Sequence, residues 1–197
     1  MKDVQTMQMA RYVLMASWLL FMLVWLAFAF TNKRTIARET LAQRLGYFAL
    51  MFIGVSLMAH WPSGPLARMA YFSVHRSGPL LHWLGALCGV AGAALAIWAR
   101  LTLGRNWSGT VTVKEDHELV TTGPYAVIRH PIYTALTLLF LGILFFFPSL
   151  RSLLGLAFII ASFWVKLRQE EALMLAQFPD AYPAYCAHTT RLIPWLV

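Results

Sequence analysis

The sequence has few charged residues, few acidic residues and only two cysteines. Charged side chains make up 12% of the 197 residues and hydrophobic side chains 59%, whereas a soluble domain has about 25% charged and about 45–50% apolar residues. This composition excludes a water-facing globule, and it also excludes a disordered chain, which could not leave so much apolar surface in water. Cys88 and Cys186 lie far apart in the sequence and form neither a disulfide framework nor a zinc signature. A lipid bilayer is the solvent that fits this composition.

Several common ligand motifs are also missing. The sequence contains no Gly-x-Gly-x-x-Gly, no phosphate-loop motif and no Gly-x-Ser-x-Gly, and it has too few soluble residues to build a Rossmann domain. The net charge of +8 comes from 16 basic and 8 acidic residues. Because the basic residues flank apolar runs instead of clustering, they indicate membrane topology and anionic lipid headgroups, and nucleic acid is not expected as a partner. No metal site is predicted.

Five apolar runs predict five transmembrane helices, since a helix of about 20 apolar residues crosses a hydrocarbon core of about 30 Å. The predicted spans are Tyr12–Phe30, Leu45–Trp61, Leu80–Ala99, Ile132–Phe147 and Leu153–Val165. The last two are joined by few residues and should form a helical hairpin. The last helix should continue to Gln177, because no helix breaker interrupts it. Gly85, Gly89 and Ala93, at four-residue spacing, predict a helix-packing seam.

The basic residues also predict the orientation. With five spans, one face holds residues 31–44, 100–131 and 166–197 and carries 11 Lys and Arg, against 5 on the other face. The richer face is therefore predicted to be cytoplasmic, with the N-terminus outside. Seven of the eight acidic residues, all except Asp3, fall on the same face. We expect the polar chemistry of the protein on the cytoplasmic side.

Residues 100–133 form the longest polar stretch and contain the first candidate site. Thr110–Val113 alternates like a short strand, and His130-Pro131 opens the fourth helix. A helix N-terminus presents free backbone N–H groups, which can hold a carboxylate or a phosphate. Arg129 stands immediately before that N-terminus. This end of the fourth helix is therefore a predicted anion site.

The end of the fifth helix supplies the opposite charges. It carries Lys166, Arg168, Glu170 and Glu171, and Lys166 shares a helix face with Glu170 four residues later. Together with Arg129 these groups suit a zwitterionic ligand. The alternative is that the basic residues are ordinary positive-inside anchors and that the two glutamates form a solvated helix face.

At this point the sequence resembles a known family. The segments that carry the resemblance are Leu103-Gly-Arg-Asn-Trp-Ser108, His117-Glu-Leu-Val-Thr-Thr-Gly-Pro-Tyr125, Arg129-His-Pro-Ile-Tyr133 and Glu170-Glu-Ala-Leu173, followed by Phe178, Tyr182, Tyr185, Arg191 and Ile193-Pro194. In this order they resemble the isoprenylcysteine carboxyl methyltransferase family, over about residues 101–195. Phospholipid methyltransferases and some membrane sterol reductases share a related C-terminal module.

The resemblance implies an all-α membrane enzyme that uses S-adenosylmethionine and releases S-adenosylhomocysteine. Residues 1–99 would form three transmembrane helices, and residues 100–197 a cofactor-binding catalytic module with two more and a C-terminal helical tail. The residues it assigns to the cofactor are His117, Glu118, Leu119, Val120, Tyr125, His130, Pro131, Ile132, Tyr133 and Glu170. It places a basic residue, Lys166 by position or Arg168, against the substrate. The sequence departs from the family pattern at two positions. The family usually has glycine where this chain has Ala135, and it often has glycine where this chain has Pro179.

The chemistry of the acceptor decides which other residues are needed. The donor methyl group is already activated, so the site has to align the reactants and exclude water. A carboxylate acceptor requires only a cation, for which Arg129, Lys166 and Arg168 are the candidates. An amine or a thiol would have to lose a proton, and Glu171 or a histidine could accept it.

The expected acceptor is a lipophilic small molecule or a lipid-anchored group that enters sideways from the membrane lipids, and a carboxylate is favoured. The alternatives are a phospholipid amine, a small thiol, an NADPH-dependent membrane reductase, and a scaffold or transporter component. No ionisable residue lies in the middle of a span, which argues against a transporter.

Overall fold

Long apolar helices form most of the chain. The structure is a computed structural model, and it describes residues 2–29, 35–59, 78–114 and 118–194. The helices in these ranges are α1 (Lys2–Ala27), α2 (Leu41–Met58), α3 (Pro79–Leu103), α4 (Pro131–Phe146), α5 (Leu150–Gln177) and α6 (Ala181–His188). Two short 3-10 turns, Gly104–Asn106 and Gly123–Ala126, follow α3 and precede α4.

The five predicted spans are confirmed as helices, and one of them, α4, is shorter than a membrane span. Four helices, α1, α2, α3 and α5, are long and apolar enough to cross a bilayer. Helix α4 is apolar but has only 16 residues, about 24 Å at 1.5 Å per residue. Helix α5 ends at Gln177, as predicted. The predicted ends at Phe30 and Trp61 lie outside the described residues.

The helices pack in two groups. Helix α3 packs against α1 and α4, and α5 packs against α2, while α4 and α5 touch over a short length. The hairpin connection between α4 and α5 is confirmed, since only residues 147–149 join them. However, α4 packs mainly against α3, and α5 packs mainly against α2.

Glycines allow the closest crossings. A Cβ atom on Gly85 of α3 would lie 2.8 Å from the carbonyl oxygen of Gly142 in α4, and the reverse distance is also 2.8 Å. A Cβ atom on Gly54 of α2 would lie 2.7 Å from the carbonyl oxygen of Gly155 in α5. Only glycine allows backbones to approach this closely. The packing seam predicted on α3 is therefore confirmed, and a second glycine contact joins the other helix pair.

A small antiparallel sheet joins two segments that lie far apart in the sequence. Strand β1 (Thr35–Arg38) pairs with β2 (Thr112–Lys114), with Ala37 opposite Val113 and an irregularity beside Thr35. The strand predicted at Thr110–Val113 is thus present one or two residues further along. The sheet connects the segment before α2 to the polar stretch after α3.

Arg100 fastens the end of α3 to the end of α1. The residue is fully buried, and its guanidinium donates hydrogen bonds to the carbonyl oxygens of Phe28 at 3.1 Å and Gly104 at 2.5 Å. It also lies 4.7 Å from the ring centroid of Trp107, within cation–π range. The sequence-based count treated Arg100 as a loop charge. In the structure it is buried, and it links the end of α1 to Gly104 and Trp107 at the start of the polar segment.

Candidate active site

A cavity of about 350 Å³ lies where side chains of the six described helices meet the polar segment after α3. Its walls combine aromatic and aliphatic side chains with a few charged ones. The first half of the chain contributes Trp25, Tyr47, Phe48 and Met51, and the second half contributes Trp107, Leu119, Tyr125, Tyr133, Lys166, Glu170, Tyr182 and Tyr185 among others. A few charged groups in an aromatic pocket of this size are typical of a small-molecule site.

Glu170 is the carboxylate of the cavity wall. Its Oε1 accepts a hydrogen bond of 2.6 Å from the Tyr133 hydroxyl, and Oε2 lies 3.5 Å from Nδ1 of His130. The Lys166 ammonium is 4.0 Å from Oε1. The Glu170 side chain keeps a quarter of its surface exposed, so a ligand in the cavity can reach it.

Glu171 faces a different set of partners. Its carboxylate lies 3.0 Å from Nε of Arg129 and 3.0 Å from Nε of Arg191, and 3.5 Å from Nε2 of His130. Successive residues of an α-helix point about 100° apart, so the two adjacent glutamates serve different surroundings. Glu171 does not line the cavity. It pairs with both arginines, of which Arg129 also lines the cavity.

His130 lies between the two carboxylates. Burial by itself lowers the pKa of this imidazole, but hydrogen bonds and charge attraction from Glu170 and Glu171 outweigh it, so the pKa is raised above its ordinary value. The raised pKa favours the protonated, imidazolium form. The ring also stacks on Tyr133 at a centroid distance of 5.6 Å.

Arg129 holds the C-terminal segment. Its Nη1 donates hydrogen bonds to the carbonyl oxygens of Thr189 and Cys186, and its Nε pairs with Glu171. Arg129 lines the cavity, but most of its guanidinium donors are already used.

The same C-terminal segment covers the start of α4. The backbone N–H groups of Arg129 and His130 donate to the carbonyl oxygens of Thr190 at 2.8 Å and Arg191 at 3.0 Å. The Thr134 hydroxyl donates to the carbonyl oxygen of Leu192 at 2.5 Å. The sequence predicted an open helix N-terminus for an anion here. In the structure the returning chain takes up the N–H groups of Arg129 and of the N-cap His130, so this end of the helix is partly covered, and the anion site stays a prediction.

Tyrosines form much of the remaining wall. Tyr125 is buried, and its carbonyl oxygen accepts a hydrogen bond of 2.7 Å from the Tyr185 hydroxyl. Burial is the main cause that raises the pKa of Tyr185 to about 12 and that of Tyr125 further still. These phenols are neutral at physiological pH, so they offer flat apolar faces with a polar edge.

The structure brings most of the predicted site residues together. Those that line the cavity are Glu118, Leu119, Val120, Tyr125, Arg129, His130, Ile132, Tyr133, Lys166 and Glu170. Pro131 is buried at the first turn of α4 and does not line it. Arg168 is exposed and does not line it. His117 lies outside the described residues.

Sequence reasoning missed the contribution of α1 and α2. Trp25, Tyr47, Phe48 and Met51 line the cavity, although the first half of the chain shows only hydropathy in its sequence. A tyrosine inside a predicted span was the one available signal, since a buried hydroxyl needs a partner.

The fold and the cavity define the class of protein: an integral membrane protein of packed helices with a mixed polar and aromatic site at one set of helix ends. The profile of the isoprenylcysteine carboxyl methyltransferase (ICMT) family matches residues 84–176. The resemblance predicted from the motifs is therefore confirmed over this part of the chain, which includes α4 and most of α3 and α5.

Individual proteins are also similar in sequence. The nickel-cobalt-cadmium resistance protein NccN of Alcaligenes xylosoxydans xylosoxydans is 31% identical over 120 residues, 58% of this chain and 53% of that protein. The protein-S-isoprenylcysteine O-methyltransferase of Schizosaccharomyces pombe is 32% identical over 126 residues, 62% of this chain and 51% of that protein. The chain spans about half the length of the curated relatives it matches.

A solved structure is also similar. It is the eukaryotic intramembrane Ras methyltransferase ICMT, with 26% sequence identity and a TM-score of 0.48, covering 79% of this chain and 52% of that one. Within the described part of the present chain, no group of three or more His, Cys, Asp or Glu side chains is placed to hold a metal ion.

Proposed function

We propose that this protein is an integral membrane methyltransferase that uses S-adenosylmethionine and methylates a lipophilic acceptor, in the first place a carboxylate. The observation that carries the proposal is the cavity wall on which Glu170 and Lys166 stand 4.0 Å apart among tyrosines, within the residues that match the family. One carboxylate and one ammonium on the same wall can receive one cationic and one anionic ligand group.

The chain's own residues fit the proposed cofactor. A cavity of about 350 Å³ falls within the range of about 300–1,000 Å³ typical of small-ligand sites. Glu170 would hold the ammonium group, while Tyr125, Tyr133 and the aliphatic Leu119 and Val120 would enclose the nucleoside. When bound, S-adenosylmethionine supplies a methyl group on a sulfonium. The protein has to hold the acceptor in line and keep water out.

Lys166 is the cation we assign to the acceptor. It lines the cavity, whereas Arg168 is exposed outside it. Arg129 is committed to Glu171 and to the C-terminal segment. A carboxylate held by Lys166 needs no general base. Glu171, one of the bases predicted for an amine or a thiol, is paired with two arginines and lies off the cavity. His130, the histidine of the cavity wall, has a pKa that the two glutamates raise, which favours its protonated form over a free base. Both observations favour the carboxylate.

The apolar end of the cavity supports a lipophilic acceptor. Met51, Leu136 and Phe163 line it one helix turn from Tyr47, Ile132 and Lys166. Within the described residues α1 and α2 do not pack along each other, so an apolar tail has a lateral way out towards lipid. We also propose that the cavity faces the cytoplasm, because 11 of the 16 basic residues fall on that side.

The division at residues 99 and 100 is proposed as a functional one. Helix α3 runs through it without interruption, and side chains of α1 and α2 complete the cavity. Residues 100–197 would bind the cofactor, and residues 1–99 would shape the acceptor side.

Lys166→Gln tests the assignment of the acceptor cation. We expect the methyl-transfer rate to fall by about tenfold or more while the affinity for S-adenosylhomocysteine stays within a few-fold. Arg105→Gln is the matched control, because Arg105 is an exposed cation outside the cavity. Full turnover in Lys166→Gln, or a loss that follows cofactor affinity, would contradict the assignment.

A further inference from the structure

Several hydrogen bonds at the start of α2 fix the position of Tyr47 in the cavity wall. Thr40 caps this helix, with its hydroxyl accepting from the Gln43 N–H at 3.3 Å and the Gln43 side chain accepting from the Thr40 N–H at 3.0 Å. This reciprocal capping fixes the first turn. It therefore fixes Glu39 just before the helix and Tyr47 two turns into it.

Tyr47 is tied at both ends. Its hydroxyl donates to Oε1 of Glu39 at 2.9 Å, and the same oxygen lies 3.1 Å from Nε of Arg44. Its carbonyl oxygen accepts from the Ser162 hydroxyl of α5 at 2.7 Å. Tyr47 is 2% exposed, and the Glu39 side chain is 3% exposed. The ring has little freedom to move.

The face of that ring meets Lys166. The ammonium lies 5.4 Å from the ring centroid of Tyr47 and 5.6 Å from that of Tyr133, both within cation–π range. It donates a hydrogen bond of 2.6 Å to the carbonyl oxygen of Gly109. Lys166 is thus held by two rings and a carbonyl group, and it stays 4.0 Å from Glu170.

This arrangement has an electrostatic consequence. If the Lys166 ammonium formed a close ion pair with Glu170, each charge would offset the other. The carboxylate would then attract a cationic ligand group less, and the ammonium an anionic one. Aromatic faces attract an ammonium without neutralising it. The rings and the Gly109 carbonyl therefore share the ammonium with Glu170, which forms only a long ion pair of 4.0 Å with it, so the lysine is not committed to that carboxylate alone.

We propose that Glu39 and Tyr47, which lie outside the residues that match the family, are positioning residues that direct Lys166 towards the acceptor. Glu39 orients the tyrosine, and the tyrosine orients the lysine. The inference rests on the proposed function, because it assigns Lys166 to the acceptor. It makes the first half of the chain a determinant of how the acceptor is held.

The test is a double-mutant cycle between Tyr47→Leu and Lys166→Gln, with N-acetyl-S-farnesylcysteine as the acceptor. We expect Tyr47→Leu alone to raise the acceptor KM between about twofold and thirtyfold, the range of one cation–π contact. In the Lys166→Gln background the same substitution should change KM by less than about twofold, since its effect passes through the lysine. Equal effects in both backgrounds would overturn the proposal.

A second readout does not need turnover. Amine acylation of intact protein in detergent, followed by mass spectrometry, measures the reactivity of Lys166 relative to the other three lysines of the chain. Tyr47→Leu should change the relative labelling rate of Lys166 by about twofold or more. Tyr47→Phe, which keeps the ring, and Glu39→Gln should each give a smaller change in the same direction. Tyr12→Leu is the control, because Tyr12 is exposed on α1 and lies outside the cavity lining.

The outcomes separate the two proposals. If wild-type protein transfers no methyl group, the proposed function fails, and the labelling still decides whether Tyr47 positions Lys166. Unchanged labelling in Tyr47→Leu would overturn the positioning role whatever the activity. Should Tyr47→Leu fail to fold, Tyr47→Phe and Glu39→Gln carry the same test, and wild-type labelling and KM in both would overturn it.

Discussion

Replacing Glu170 by glutamine removes one charge from the cavity wall and little else. The amide oxygen can still accept the hydrogen bond from Tyr133, which is 2.6 Å long in the wild type. The negative charge near Lys166 and His130 disappears. If Glu170 holds the ammonium of S-adenosylmethionine, this variant loses the charged partner while keeping the shape of the site.

The size of the effect follows from the surroundings. A hydrogen bond to a charged group contributes about 1.5–3 kcal/mol when it is desolvated. A quarter of the Glu170 side chain is exposed, and solvent screening lowers this to about 1–2 kcal/mol. At about 1.36 kcal/mol per factor of ten, affinity should fall about 5- to 30-fold.

Isothermal titration with S-adenosylhomocysteine measures this change, and thermal unfolding confirms that the variant is folded. Asp180→Asn is the matched control, because it removes an exposed carboxylate outside the cavity lining. A folded Glu170→Gln variant whose affinity stays within twofold of wild type would refute the role. Glu170 would then belong to the solvated helix face.

Three further changes have defined outcomes. Tyr125→Ala should weaken binding of S-adenosylhomocysteine about tenfold by removing a buried wall, and equal affinity in titration would argue against it. The pKa of His130 is raised in the folded protein, so protonation stabilises the fold at pH values below the unfolded-state pKa of about 6.5. The melting temperature should therefore fall as the pH rises through the raised pKa. His130→Gln should flatten that profile, and an unchanged slope would contradict the argument. Gly54→Ala should destabilise by about 1–3 kcal/mol because its Cβ would meet a backbone carbonyl at 2.7 Å. Gly46→Ala in the same helix meets nothing within 4 Å and should be neutral or slightly stabilising in the same denaturation assay.

Local patterns predicted the helices well. Hydropathy located the spans, and the absence of a breaker extended α5 to Gln177. Spacing of small residues located the seam on α3. The opposed charges of α5 and the start of α4 also meet as expected, because the short connection after α4 brings the chain back beside it.

The parts that sequence reasoning missed depend on contacts between distant segments. Nothing near Arg129 in the sequence shows that residues 189–192 return to cover the start of α4. Hydropathy does not show which face of α2 turns inwards, so Tyr47 went unnoticed. Adjacent glutamates look equivalent in a sequence, whereas the helix turns Glu170 into the cavity and Glu171 away from it.

The most direct test of the central claim follows the methyl group itself. Purified protein in lipid vesicles is incubated with methyl-labelled S-adenosylmethionine and N-acetyl-S-farnesylcysteine, and the extracted lipid fraction is treated with alkali. The proposal predicts label in that fraction that alkali releases as methanol, because a carboxyl methyl ester is hydrolysed whereas N-methyl and S-methyl groups are stable. Label that resists alkali would contradict the carboxylate acceptor, and folded protein that transfers no label to this acceptor, to phospholipid amines or to a small thiol would contradict the methyltransferase.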